Sequence, residues 1–349
     1  MFKLAKNCLS YDDVLLQPQY SDIRSRSEID ISTDLGKGLE LSIPLMSSPM
    51  DTISEGPMAA ALSTAGGVSV IHRYNSPATQ ARIVTMTQDV ASNANHKLKI
   101  GAAVGISGDF LERAHVLLSV GVDFLCIDVA HGHHIMMKEA LKNLRDTFGN
   151  NVHIMAGNVA TLQGVNDLAD WGADSVRCNI GGGSICSTRV QTGHGYPGLQ
   201  TIFECAQTDR DVKIIADGGI KTSGDMVKAL AAGSDAVMIG SLLSGTDESP
   251  GSIMEDKEGQ RWKIYRGMAS KEAQIGWRGK YSSHEGISTR VPYRGSVRKI
   301  LDDLERGIRS GFSYSGARSL QELQQKAEFV GQTASGIVES QAHIVGRKW

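Results

Sequence analysis

Cys186 lies in the segment Asn179-Ile180-Gly181-Gly182-Gly183-Ser184-Ile185-Cys186-Ser187-Thr188-Arg189. Three successive glycines let a backbone turn tightly, so that its N–H and C=O groups can face a ligand or a monovalent cation. A thiol following such a turn in a polar loop is partly exposed and can act as a nucleophile where its thiolate is favoured. Cys126, Cys178 and Cys205 instead sit inside apolar runs. Spacing alone is equally compatible with a structural glycine loop carrying an inert cysteine.

A second chemical signal is phosphate binding. Asp217-Gly218-Gly219-Ile220 closes one apolar run and Gly240-Ser241 closes the next. Glycine-rich turns at such positions hold phosphate through loop amides, and an aspartate beside them can accept hydrogen bonds from ribose hydroxyls. A plain Gly-Gly turn is the alternative. His131-Gly132-His133-His134, after Asp128, invites a metal reading. Metal sites need three or four converging ligands, and no other His, Cys or carboxylate set has suitable spacing, so a cofactor-facing loop is the better expectation.

These residues need elements to hold them. Short apolar runs occur at 43–46, 68–71, 98–104, 124–129, 152–156, 174–178, 212–216 and 236–239. Most are continuous rather than alternating, as strands buried on both faces of a parallel sheet require. Stretches with helical spacing separate most of them, for example 110–119, 136–147, 162–171 and 224–232. Eight strands alternating with helices predict an α/β fold of the (β/α)8 TIM barrel type, with a doubly wound open sheet as the alternative. Polar and glycine residues gather where each run ends, the face on which a barrel builds its site. The expected layout is one barrel domain over 1–349, comprising an N-terminal arm (1–40), a polar lid insertion after strand eight (247–296) and a C-terminal tail (319–349).

The composition narrows the class. The 349 residues include 39 glycines, are 41% hydrophobic and carry a formal charge of −2. That balance gives no basic footprint for nucleic acid, and no apolar run approaches a membrane span. Five cysteines with no CxxC spacing suggest neither disulfides nor zinc, so a reducing cytoplasm is expected.

The loop Gly-Gly-Gly-Ser-Ile-Cys-Ser-Thr-Arg resembles the catalytic cysteine loop of the IMP dehydrogenase/GMP reductase family. So do Tyr11-Asp12-Asp13-Val14-Leu15-Leu16, Pro49-Met50-Asp51-Thr52, Gly157-Asn158-Val159, Ala216-Asp217-Gly218-Gly219-Ile220 and Tyr265-Arg266-Gly267-Met268, in family order. The loop departs from the family pattern at Gly182, where proline is usual, and at Asn179. The resemblance implies that Cys186 adds to C2 of a purine mononucleotide to form a thioimidate, with Thr188 and Glu285 moving protons. It implies phosphate contacts from Ser184, Gly219, Gly240, Ser241 and Tyr265, a ribose contact from Asp217, and base contacts from Met268 through Ser270, with Gly267 and Gly286 also on the substrate side. Ser48 and Met50 join the substrate side. Asp128, Val129, Ala130 and Ile180 match the nicotinamide side, and the carbonyls of Gly181, Gly183 and Cys186 match a potassium site. Barrels of this family form homotetramers in which a neighbour helps to complete the cofactor site. Leu15, Leu16, Phe329, Val330, Ile337 and Val338 in the two tails supply apolar surface for such an assembly.

Within the resemblance, three features point to GMP reductase, which uses NADPH to turn GMP into IMP and ammonia. There is no insertion after the second strand, where dehydrogenases commonly carry CBS modules. The stretch from Met268 to Glu285 is short. Gly195-Tyr196-Pro197 and Ile202-Phe203-Glu204-Cys205-Ala206 look reductase-like. Lys280-Tyr281, with Arg278 just before, points instead to an IMP dehydrogenase lacking CBS modules, which would use NAD and water to give XMP. A catalytically silent nucleotide-binding barrel is the alternative from another class.

Overall fold

The computed structural model describes residues 8–92, 98–282 and 284–340. The first seven residues of the arm, the last nine of the tail and Ser283 of the lid lie outside the described residues. Eight parallel strands close into a barrel: β1 (Leu45–Ser47), β2 (Val68–Ile71), β3 (Ile100–Val104), β4 (Phe124–Asp128), β5 (His153–Val159), β6 (Ser175–Cys178), β7 (Lys213–Asp217) and β8 (Ala236–Ile239). Each strand pairs with its sequence neighbours, and β8 closes on β1 through Val237–Ile239 against Leu45–Ser47. A helix follows every strand: α1 (Gly56–Thr64), α2 (Pro77–Ser92), α3 (Phe110–Ser119), α4 (Ile135–Phe148), α5 (Leu162–Asp170), α6 (Gly198–Cys205), α7 (Ser223–Ala231) and α8 (Val297–Tyr314). This is the α/β TIM barrel expected from the spacing of the apolar runs. β2 is followed by α2 after only five residues, so no module interrupts that junction.

Continuous apolar strands are needed because both faces are covered. Leu45, Ile71, Ile100, Leu125 and Ile154 pack outward against the helices, whereas Met46, Val68, Val70, Phe124, Cys126, Met155, Ile215 and Met238 fill the barrel interior. Gly101 belongs to that interior packing, since a Cβ there would collide with the Phe124 ring. Leu35, Leu39 and Leu41, from a small hairpin in the arm (Thr33–Asp34 with Glu40–Leu41), join the same interior cluster. Part of the arm therefore packs on its own barrel.

The rest of the arm meets the tail. Val14–Leu16 pairs antiparallel with Phe329–Gly331, placing Leu15 opposite Val330. Leu16 and Phe329 pack on the core, but Leu15 and Val330 each remain 39% exposed.

His153 sits buried at the start of β5, its Nε2 2.9 Å from Ser175 Oγ and its ring edge-on to Phe124. Burial holds it well below the ordinary imidazole range, at about 4 against 6.5. As pH falls through 6.5 the unfolded chain takes up a proton that the folded chain refuses until about 4. The stability due to neutral His153 is thus complete above that window and lost on acidification, costing about 2 kcal/mol at pH 5. In urea titrations at pH 7.5 and pH 5, wild type should lose about that much more stability than His153→Gln. Equal losses in the two proteins would show that His153 plays no part in the acid limb.

Candidate functional site

Residues from seven of the eight strand ends meet the lid around one cavity of about 410 Å3, within the usual range for small-molecule sites. The lid itself is an antiparallel ribbon, Arg261–Arg266 with Ser288–Pro292, connected through a helix at Lys271–Arg278. Contacts that fix it to the barrel mouth include two side-chain pairs. Arg266 forks onto Asp51 Oδ2 through Nε and Nη2, at 3.0 and 2.5 Å, and Trp277 stacks on Tyr74 with centroids 4.3 Å apart.

The cysteine loop leaves β6 and is gripped by the lid. Ser187 N donates to Glu285 O (3.0 Å), Ile287 N to Ile185 O (3.0 Å) and Ser187 Oγ to His284 O (2.8 Å). These bonds bring together three side chains far apart in sequence. The Cys186 thiol donates to Thr188 Oγ1 at 3.1 Å, and the Thr188 hydroxyl donates to Glu285 Oε2 at 2.9 Å. The chain of donors leads from sulfur to carboxylate, so a proton leaving the thiol has a path to Glu285 and a route back. Cys186 is exposed, whereas burial pushes Cys126 up to about 12 and raises Cys178 as well. Only an accessible thiol beside a proton acceptor is suited to attack a ligand.

Another corner of the same cavity is built from glycines and hydroxyls. Gly218 and Gly219 both have positive φ (+83° and +76°), a turn that side-chain-bearing residues rarely make. At Gly240, an added Cβ would come within 3.1 Å of Met50 Sδ and 3.2 Å of Tyr265 Oη, so glycine keeps that corner open. Ser184 Oγ stands 3.5 Å from the same phenol. Ser48 and Ser241 complete this end of the cavity. Bare amides and neutral hydroxyls suit a phosphate held by dipoles rather than by net charge.

Asp217 is oriented by Arg177 and Asn158. Arg177 Nε and Nη2 and Asn158 Nδ2 all bond to Asp217 Oδ2, at 3.1, 2.8 and 2.8 Å, leaving Oδ1 for a ligand hydroxyl. Arg177 Nη1 also holds Asp128 Oδ1 at 2.7 Å. Gly157 lies beside it in register, and a Cβ there would press to 2.6 Å on Arg177 Cβ, so the glycine is what lets the arginine pass. The sequence reading passed over Arg177 and assigned no role to Asn158. A signal existed, since a charge inside a strand buried on both faces must find partners.

All but one of the expected site residues line this cavity: Cys186, Thr188, Glu285, Ser48, Met50, Ser184, Asp217, Gly219, Gly240, Ser241, Tyr265, Gly267, Met268, Gly286, Asp128, Val129, Ala130, Ile180, Gly181 and Gly183. Ser270 does not. It is fully buried and its Oγ caps the lid helix by accepting from Ala273 N. In the histidine loop, His133 pairs with Asp167 at 2.7 Å and His134 caps α4. Burial and the neighbouring imidazoles lower His131.

The IMP dehydrogenase / GMP reductase domain family matches residues 8–343. The chain belongs to that family. It is 36% identical to an inosine-5′-monophosphate dehydrogenase of Nitrosopumilus maritimus, over 97% of this chain and 99% of that protein, and 33% identical to the Bacillus subtilis enzyme of that name, over 98% and 97%. Among solved structures, a GMP reductase from Trypanosoma brucei in complex with guanosine 5′-monophosphate superposes with a TM-score of 0.91 at 29% identity, covering 97% and 98% of the two chains. The chain is thus a purine-nucleotide oxidoreductase of a family that uses a nicotinamide cofactor. No helix among the described residues is long and apolar enough to cross a membrane.

Proposed function

We propose that this enzyme is a GMP reductase that works through a covalent Cys186 adduct. The observation that carries the covalent chemistry is the unbroken donor chain from Cys186 through Thr188 to Glu285 inside the cavity. GMP would lie with its phosphate toward Ser184, Gly219, Gly240, Ser241 and Tyr265, its ribose on Asp217 and its base beside Met268. Cys186 gives up its proton through Thr188 to Glu285 and bonds to C2. The same relay returns a proton to the 2-amino group, which leaves as ammonia, and C2 stays bound to sulfur as a thioimidate. Asp128, Val129 and Ala130 would hold the nicotinamide of NADPH, which would supply the hydride for C2. The C–S bond then breaks, releasing IMP and a thiolate that takes up a proton from solvent through Glu285 and Thr188.

The direction rests on the lid. It brings Glu285 to Thr188 but leaves Lys280 and Tyr281, the residues that pointed to a dehydrogenase, exposed and off the cavity wall. The second reading, an IMP dehydrogenase using NAD, is favoured by Arg278, which does line the cavity, and by the names of the relatives. Purified protein with GMP plus NADPH should consume the reduced cofactor and release ammonia. Ready conversion of IMP and NAD to XMP, with GMP inert, would overturn the reductase reading. Nucleotide binding with turnover of neither would identify a silent barrel.

A potassium ion held by the carbonyls of Gly181, Gly183 and Cys186 belongs to the same proposal. Neutral carbonyl oxygens suit a monovalent cation, and the Gly183 carbonyl already accepts from Cys186 N at 3.0 Å, which ties any such ion to the geometry of the thiol. Five free cysteines fit a reducing cytoplasm. We also infer a homotetramer, supported by the exposed Leu15–Val330 pair on the arm–tail ribbon. Light scattering should report four chain masses, and a fully active monomer would exclude it.

A further inference from the structure

Asn179 stands at the end of β6, and three hydrogen bonds tie it to the ends of β5 and β7. Its N–H donates to Val159 O at 2.8 Å, its carbonyl accepts from Asn158 Nδ2 at 3.1 Å, and its side-chain Nδ2 donates to Gly218 O at 3.2 Å. The side chain is 4% exposed, and its Oδ1 is buried without a partner. Its φ is +151°, a value that non-glycine residues rarely adopt and that costs backbone energy. Glycines surround the amide. A Cβ on Gly182 would stand 2.8 Å from Asn179 Cγ and Oδ1 and closer still to Nδ2, while Cβ atoms on Gly198 and Gly219 would come within 3.3 and 3.9 Å of Nδ2.

A strained backbone, a half-satisfied buried amide and a ring of glycines are each unfavourable for folding. Together they make sense if the side chain serves as a spacer between loops. We propose that Asn179 is a positioning residue that sets the distance between the cysteine loop and the Asp217-Gly218-Gly219 turn, and that Gly182 must be glycine because the Asn179 amide fills the space of its Cβ. The two departures of this loop from the family pattern are then one compensated change. Asn179 lines the cavity wall but is almost wholly buried, and it acts on the chemistry through the loops, by fixing where Cys186 stands relative to the nucleotide's ribose and phosphate.

The inference rests on Cys186 being the reactive thiol of the site but not on the direction of the reaction. The test is a double-mutant cycle read by three measurements: kcat/KM, GMP affinity, and the rate at which iodoacetamide alkylates Cys186 with and without GMP. Asn179→Gly relieves the strained φ, so thermal stability should hold, while GMP affinity and kcat/KM should fall about tenfold or more and GMP protection of Cys186 should weaken. Gly182→Ala alone should cost about 100-fold in kcat/KM, yet less than about threefold when introduced into Asn179→Gly. Asn179→Asp keeps the volume but puts an oxygen against the Gly218 carbonyl. It should therefore reproduce the loss of Asn179→Gly while leaving Gly182→Ala as harmful as before, and it carries the test if Gly182→Ala alone does not fold. Equal costs of Gly182→Ala in the wild-type and Asn179→Gly backgrounds would overturn the shared-volume claim. Unchanged affinity, alkylation and protection in Asn179→Gly and Asn179→Asp would overturn the positioning role. Loss of turnover with either nucleotide, but with the alkylation pattern as expected, would count against the proposed reaction and leave this inference standing.

Discussion

Cys186→Ala should abolish turnover, lowering kcat by roughly 10⁴-fold or more, while GMP and IMP still bind. The expectation follows from the division of the cavity. In the proposed reaction the sulfur forms the bond to C2, and among the described residues no other exposed thiol lies on the cavity wall, so the covalent route has no substitute. Binding is distributed elsewhere, over the Gly218–Gly219 turn, Gly240, Ser241, Tyr265 and the oriented carboxylate of Asp217. Calorimetric titration of the variant should give a nucleotide affinity within about threefold of wild type, since truncation removes only the thiol. In the wild-type protein, iodoacetamide should modify Cys186 ahead of Cys126, Cys178 and Cys205, which are fully buried, and bound nucleotide should slow that reaction. An alanine variant that retains a tenth of the activity would exclude a covalent adduct, whichever reaction the enzyme performs.

Glu285→Gln should lower kcat by roughly 10²–10⁴-fold with little change in KM for the nucleotide. Glutamine keeps the size of the side chain and can still accept a hydrogen bond from the Thr188 hydroxyl, now 2.9 Å from the carboxylate. The backbone bonds that hold Glu285 to Ser187, and its neighbour Ile287 to Ile185, do not involve the side chain, so the lid should stay in place. What glutamine cannot do is take the proton that the thiol releases or return one to the leaving group. The loss should therefore appear in the chemical step and in the pH profile of kcat rather than in binding. A variant that weakens nucleotide affinity and leaves kcat untouched would make Glu285 a binding residue and would break the proposed relay.

The barrel was legible in the sequence because parallel strands covered on both faces must be apolar throughout. Runs such as 68–71, 124–129 and 236–239 can hardly be anything else once helical spacing separates them. Strand ends rich in Gly, Ser and Asp were legible for a related reason, since a barrel carries its ligands on that one face. The segment around Cys186 and the glycines at 218–219 could be singled out from local chemistry alone.

What the linear order could not convey is distance between segments. Glu285 lies 97 residues from Thr188, and only the clipping of the lid onto the cysteine loop makes the carboxylate a partner of the thiol. Ser270 shared its neighbours' motif, but the turn into the lid helix buries it off the cavity wall, where its Oγ accepts from Ala273 N. Arg177 looked like part of an apolar run, yet the closed barrel places Asp128 and Asp217 on either side of it and turns an unfavourable buried charge into the strut that orients the Asp217 carboxylate. Residue types and periodicity determined the kind of fold and the kind of chemistry. Closure of the barrel and docking of the lid decided which groups share hydrogen bonds, because those bonds form between residues that only long-range packing brings within 3 Å.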